Sequence, residues 1–309
     1  MDYGRMIRDS FVLAWRHKSL WILGLFAGWG SGFNTSFGKH DLSSMNGGDL
    51  SGTPFGNLSQ DPSQIWAWLA PFFVGLVIFA IIYMAMYCIA TPGLIDAVNR
   101  ITRGGAYKLS ESFSTGVDFF WRTLGLTILS GMAAVIVFGV MAGLLIVSLK
   151  GGVVPFLVTL LFSLPIIFML VIAFVCIVSL AQRAMVVRNV SIGDAIEEGY
   201  LLFRNHLGKN VVFVLINIGL GIGLGIAVAI VALIVYAPIV LVAYSLGLPL
   251  WSAFLVAIII ALPVTIPVGG YIGTFQSSLA TMFYFGLVEP SGPQAALPVG
   301  NEPTPEPQL

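Results

Sequence analysis

From residue 210 to residue 288 the chain runs 79 positions without one Asp, Glu, Lys or Arg. A helix crosses the hydrocarbon core of a bilayer in about 20 residues, so this stretch must hold at least two crossings. The break falls at Tyr244-Ser245-Leu246-Gly247-Leu248-Pro249, where Gly and Pro supply turn chemistry between two apolar runs. Four further charge-poor segments precede it, at 19–38, 62–95, 123–149 and 151–182. The expected fold is therefore an all-α integral membrane protein with six transmembrane helices.

Composition agrees. Apolar residues make up 58% of the chain and charged residues 9%, against about 25% charged in soluble domains. Mean hydropathy is +0.96. Such a chain cannot cover a water-facing surface with charge, and it is too apolar to be disordered. Acidic and basic residues both total 14, so net charge favours neither nucleic acid nor an acidic partner.

The positions of the charges say more than their sum. Twelve of the fourteen basic residues fall in three segments: Arg5, Arg8, Arg16 and Lys18; Arg100, Arg103, Lys108 and Arg122; and Arg183, Arg188, Arg204 and Lys209. Only Lys39 and Lys150 lie on the opposite side. Basic residues accumulate in cytoplasmic connections, so both termini are expected in the cytoplasm of a bacterial plasma (inner) membrane. The first span is the least regular, and its basic leader also suits a secretory signal peptide. No A-x-A site follows it, however, which favours a retained helix.

The three basic segments resemble one another. Residues 109–125 read LSESFSTGVDFFWRTLG and residues 192–208 read IGDAIEEGYLLFRNHLG. At an offset of 83, Gly116 matches Gly199, Phe120 matches Phe203, and Leu124-Gly125 matches Leu207-Gly208. Asn99-Arg100 likewise corresponds to Gln182-Arg183, and a looser copy runs through Phe11, Ala14-Trp15-Arg16 and Leu20-Trp21. The chain thus divides into repeat units at about 1–95, 96–182 and 183–288, each an amphipathic cytoplasmic helix followed by a transmembrane hairpin. Within the helices, Leu109, Phe113, Gly116/Val117, Phe120 and Leu124 recur at three- and four-residue steps, as do Ile192, Ile196, Gly199/Tyr200, Phe203 and Leu207. One apolar stripe results, suited to capping the bundle or to lying in the headgroup plane. In the second case Arg16, Arg122 and Arg204 would meet lipid phosphate. Residues 289–309, rich in Pro, are expected to form a disordered cytoplasmic tail. The segment 39–64 is expected to be a mobile outer loop, and its Asp41, Asp49 and Asp61 fit no calcium loop.

Inside the spans the sequence places no ionisable residue, with Asp96 and Arg183 at span ends, which argues against ion-coupled transport. Asn217, Gln276, Ser130, Ser163, Ser277 and Ser278 remain as polar groups that glue helices together. Gly219, Gly221, Gly223 and Gly225 form two overlapping G-x-x-x-G patterns, which point to close helix packing. Pro238, Pro263 and Pro267 are expected to kink the last two spans. Cys88 and Cys176 lie in apolar runs and read as buried thiols. His17, His40 and His206 have no metal-ligand spacing, and Asp96, Glu111, Asp194 and Glu197 read as exposed charge on amphipathic faces. No catalytic residue, cofactor or metal is indicated.

The repeated S/G-x-x-A-F…G…F-R…LG helix, carried by residues 110–125 and 193–208 and more weakly by 9–21, resembles the bacterial six-span domain of glycerophosphodiester phosphodiesterase-type membrane proteins and related uncharacterised proteins. The chain has no room for the soluble barrel that carries that family's metal-binding His and Glu residues. The resemblance therefore implies the membrane module without the enzyme. Taken together, the expectation is a non-enzymatic protein that organises or senses lipid, or serves as a membrane partner subunit or homo-oligomer. The alternative is a permease for a neutral or amphipathic solute through the kinked fifth and sixth spans, marked by a polar cavity around Asn217 and Gln276.

Overall fold

A computed structural model describes residues 2–28, 62–105, 107–246 and 250–288. Residues 39–61 of the expected outer loop, with its three aspartates, Lys39 and His40, the Gly247-Leu248-Pro249 part of the late turn, and the Pro-rich tail lie outside the described residues, while residues 62–64 of that loop already belong to the third helix. Among the described residues the structure is all helical: α1 (Tyr3–Arg16), α2 (Leu20–Ala27), α3 (Pro62–Thr102), α4 (Leu109–Asp118), α5 (Phe120–Lys150), α6 (Val153–Arg188), α7 (Ile192–Asn205), α8 (Leu207–Ser245) and α9 (Leu250–Val288). Four helical stretches are long and apolar enough to cross a membrane: Phe73–Thr102, Phe120–Lys150, Val153–Arg188 and Leu207–Val242. Four such helices are compatible with a multi-pass membrane protein. The described part of the first expected span, α2, has eight residues.

The short helices end where local chemistry ends them. Asp2 caps α1 by accepting from the Arg5 N–H at 3.1 Å. Ser191 caps α7, accepting from the Asp194 N–H at 3.3 Å and donating its hydroxyl to the Asp194 carboxylate at 2.7 Å. The repeated sequence 109–125 does not form one helix. Phe119, at φ −88° and ψ −1°, separates α4 from α5, and His206 separates α7 from α8. Phe120, Leu124 and Leu207 therefore begin long helices instead of completing the short ones. Between α5 and α6 the tight turn depends on Gly152 at φ 101°, a conformation that side chains avoid.

Each short helix packs against a long one. α4 lies on α3, α7 on α6 and α1 on α9. On α4 and α7 the contact face runs along the glycine side of each stripe, with Ile192, Ile196 and Phe203 of α7 partly buried against the protein core. α4 buries Ser112 and Gly116, and α7 buries Ala195 and Gly199. A Cβ on Gly199 would come within 2.7 Å of the Ile177 carbonyl oxygen, and one on Gly116 would collide with the carbonyl of Ile89. Other large side chains face outward: Trp15 is 59% exposed, Phe113 43% and Trp121 76%.

The closest helix crossing joins α2 to α9. Gly24 and Gly28, a G-x-x-x-G pair, meet Gly270 and Gly273, and a Cβ on Gly24 would strike the Gly270 carbonyl and the Thr274 hydroxyl. That hydroxyl donates to the Leu20 carbonyl at 3.0 Å. Around this crossing one core joins α1, α2 and α3 through Leu13, Leu20, Leu23, Leu94 and Val98. A second core joins α6, α8 and α9 to α1 and α7, with the Phe213 and Phe283 rings stacked at 3.9 Å. Both cores sit at the end of the bundle that carries the short helices. Toward the other end the long helices expose Val135, Leu161, Met169 and Leu233, an apolar surface suited to contact with lipid or another apolar face.

Candidate functional site

Between α3, α5, α6, α8 and α9 lies a partly open chamber of about 800 Å³, within the size range of sites for small ligands. α5 packs on α6 and α8 on α9, and the space opens between these pairs. The glycine run of α8 shapes its wall. Gly221 and Gly225 line the chamber, and a Cβ on Gly219, Gly221, Gly223 or Gly225 would meet nothing within 4 Å. The expected close packing at these four glycines is thus not made within the chain. Missing side chains here leave space, whereas at Gly24, Gly28, Gly270 and Gly273 they admit a neighbouring backbone.

The lining separates into two parts. One is apolar and opens outward: Phe174, Val175 and Val178 of α6 with Ile218, Ile222 and Ile226 of α8, of which Val175, Ile222 and Ile226 are more than half exposed. The other is polar: Tyr87 and Thr91 of α3, Ser179, Gln182 and Arg183 of α6, and Asn210 of α8, with Asn217, Gln276 and Ser277 beside them. The structure brings Asn217 and Gln276 to one cavity, as the permease alternative requires. Asn217 also donates to the Phe213 carbonyl at 3.2 Å, and Gln182 donates to the Tyr87 hydroxyl at 3.3 Å.

Arg183, which the sequence places at a span end, lies near the C-terminal end of α6 and is buried there, 5% exposed. Its Nη1 donates to the Ser179 carbonyl at 2.6 Å and to the Ser179 hydroxyl at 2.8 Å, while Nε has no acceptor. No carboxylate lies within ion-pair distance of it among the described residues. Two more buried polar atoms of the lining lack partners, Thr91 Oγ1 and Asn210 Oδ1. The Asn210 amide nitrogen is engaged, donating to the His206 carbonyl at 3.0 Å.

The other expected site residues are dispersed. Arg16, Arg122 and Arg204 are all exposed, but Arg122 stands on α5 and donates to Asn189 Oδ1 at 2.7 Å, over the Phe119 ring. Pro238 lies inside α8, and Pro263 and Pro267 lie inside α9, with the helices continuous through them. Cys88 and Cys176 are buried and free. Of the interfacial carboxylates, Asp96 and Glu111 both bind Arg100, at 2.9 and 2.8 Å, and Asp194 is held at its helix cap. No group of three or more metal-ligating side chains occurs among the described residues.

Outside this chain, residues 12–288 match a family of unknown function, DUF7544, and the chain belongs to that family. No curated protein and no solved structure matches it.

Proposed function

We propose that this is a non-enzymatic multi-pass protein of the bacterial plasma membrane that holds a lipid or amphipathic solute in the chamber between its long helices. The observation that carries this reading is the chamber itself, polar around Arg183 and Asn217 and apolar along α8. A ligand with a polar head and an apolar body would satisfy both parts at once.

In the same reading the chain has six spans arranged as three hairpins, α2 and α9 supplying the first and last. α1, α4 and α7 lie at the cytoplasmic headgroup plane, each introducing one repeat unit. The outward aromatics support this arrangement, since Trp and Tyr favour that depth, and so does the bias of basic residues toward one end. The likeness to phosphodiesterase-linked membrane domains belongs to the same proposal.

Native mass spectrometry of protein released gently from its own membrane tests the reading. Retained stoichiometric phospholipid or amphiphile is expected, and its loss on filling the chamber with Gly221→Leu and Gly225→Leu. Bare protein, or retention unaffected by filling, would overturn it. A permease is the second reading, favoured by Asn217 and Gln276 sharing the chamber. Solute uptake into proteoliposomes, blocked by the same two substitutions, would establish that activity.

A further inference from the structure

We infer that the chamber selects an anionic amphiphile, with its acidic head on Arg183 and its chain along Ile218, Ile222 and Ile226. This rests on the chamber being a ligand site and adds the charge and chemistry of the ligand.

The first argument is the state of the guanidinium. A buried cation is costly unless paired with a counter-charge and hydrogen-bonded. Arg183 has its Nη1 on Ser179 and no acceptor for Nε. The chamber lining contains no Asp or Glu, so no carboxylate among the described residues compensates its charge.

The second argument comes from the counterpart residue. Arg100 lies 83 positions earlier, at the same point of the repeat, and is paired with Asp96 four residues before it and with Glu111. The residues 83 positions after those two are Ser179 and Asp194. One is neutral, and the other is taken up by Ser191. The arginine is present in both places, but its counter-ions are present in only one. Where they are missing, a cavity begins.

Third, the surroundings fit an acid head attached to an apolar chain. Charge-assisted hydrogen bonds from a guanidinium are strong in a low-dielectric site, and Asn210 Oδ1 offers a buried acceptor for a head-group hydroxyl. Phosphate and carboxylate heads share this chemistry.

The test uses matched probes on the full chain in nonionic detergent micelles. Phosphatidylglycerol is compared with phosphatidylcholine, and oleate with oleyl alcohol, by native mass spectrometry and displacement titration. The wild-type protein should prefer the anionic member of at least one pair by about tenfold or more. Arg183→Gln should abolish that preference while still binding the neutral member, which also reports that the variant is folded. Arg183→Lys should retain part of the preference. Dependence seen with phosphatidylglycerol identifies a phospholipid, and with oleate a fatty acid; both support the inference. Equal binding of charged and neutral probes, or an anionic preference that survives Arg183→Gln, overturns it and leaves the chamber reading intact. Failure of all four probes to bind wild-type protein would count against both.

Discussion

Arg183 donates through Nη1 to the Ser179 hydroxyl at 2.8 Å, in the place where Arg100 instead holds the Asp96 carboxylate at 2.9 Å. Both contacts span one helical turn, so helix geometry brings the side chains together equally well. What differs is compensation. The Arg100 pair is 38% and 14% exposed by side chain, whereas Arg183 is enclosed and faces a neutral partner. A charge kept under such conditions works against stability unless something outside the chain completes it.

Replacement of Arg183 by Met is therefore expected to stabilise delipidated protein by at least about 1 kcal/mol, since methionine fills similar length without a charge to desolvate. Unfolding followed by far-UV circular dichroism across a mixed-micelle titration measures the difference. A strongly destabilised Arg183→Met would mean that the Ser179 contact holds α6 in shape, and that the arginine is structural.

The glycines divide into two classes that substitution should separate. Gly221→Ala on α8 meets open space and removes the helix penalty of glycine, so a gain of up to about 1 kcal/mol is expected. Gly273→Ala places a methyl group against the Gly24 carbonyl and the Gly28 Cα, so a loss of about 1–3 kcal/mol or more is expected from overpacking. The same micelle titration reads both. Equal effects at the two sites would show that the α2–α9 crossing relaxes freely.

These two classes also mark how far the sequence can be read. Long helices were legible, because a bilayer demands apolar length and the charge-free runs display it directly. The short amphipathic helices were legible from their repeated Gly and aromatic spacing. Their packing faces were legible in part, through Gly116 and Gly199 of the stripe. In water an apolar stripe reports burial, but beside lipid Trp121 and Phe113 need no protein partner, and Ser112 and Gly116 take the protein side. The glycine run at 219–225 looked like a packing seam because the pattern states only that a backbone can approach, not that one does. The seam that is made, Gly24 and Gly28 against α9, carried the same G-x-x-x-G signal in a shorter apolar segment. Arg183 was hidden by its place at the edge of a charge-free run. Its signal was the serine at the position where Arg100 has an aspartate.

His17 closes the corner between α1 and α2, its carbonyl accepting from the Leu20 N–H at 2.9 Å and its ring lying edge-on to Tyr107 at 5.9 Å. Burial, and secondarily the Arg16 charge, lower its pKa below the usual 6.5. The unfolded corner then binds a proton more readily than the folded one, so the His17 contribution weakens stability as pH falls through 6.5 toward the folded pKa and is constant above it. Hydrogen exchange at the amides of residues 17–24 should be faster relative to intrinsic rates at pH 5.5 than at pH 8. His17→Gln should remove that dependence. A dependence that persists in the variant would assign it to another group.

Large aromatics on the short helices stay half-exposed: Phe11 and Trp15 on α1, which also lie edge-on to Tyr271 of α9, Phe113 on α4, and Tyr200 on α7, with Trp121 exposed just beyond α4. Aromatic side chains on an amphipathic surface next to membrane spans gain most by entering the acyl boundary. In vesicles containing brominated lipids, quenching of Trp fluorescence should fall when Trp121 is replaced by Phe, and most when bromine lies near the headgroups. Trp121→Ala should leave the bundle folded, because the side chain is 76% exposed and its removal opens no cavity. Unchanged quenching would place α4 and the start of α5 in water, and the exposed row would then have to be covered by another protein chain.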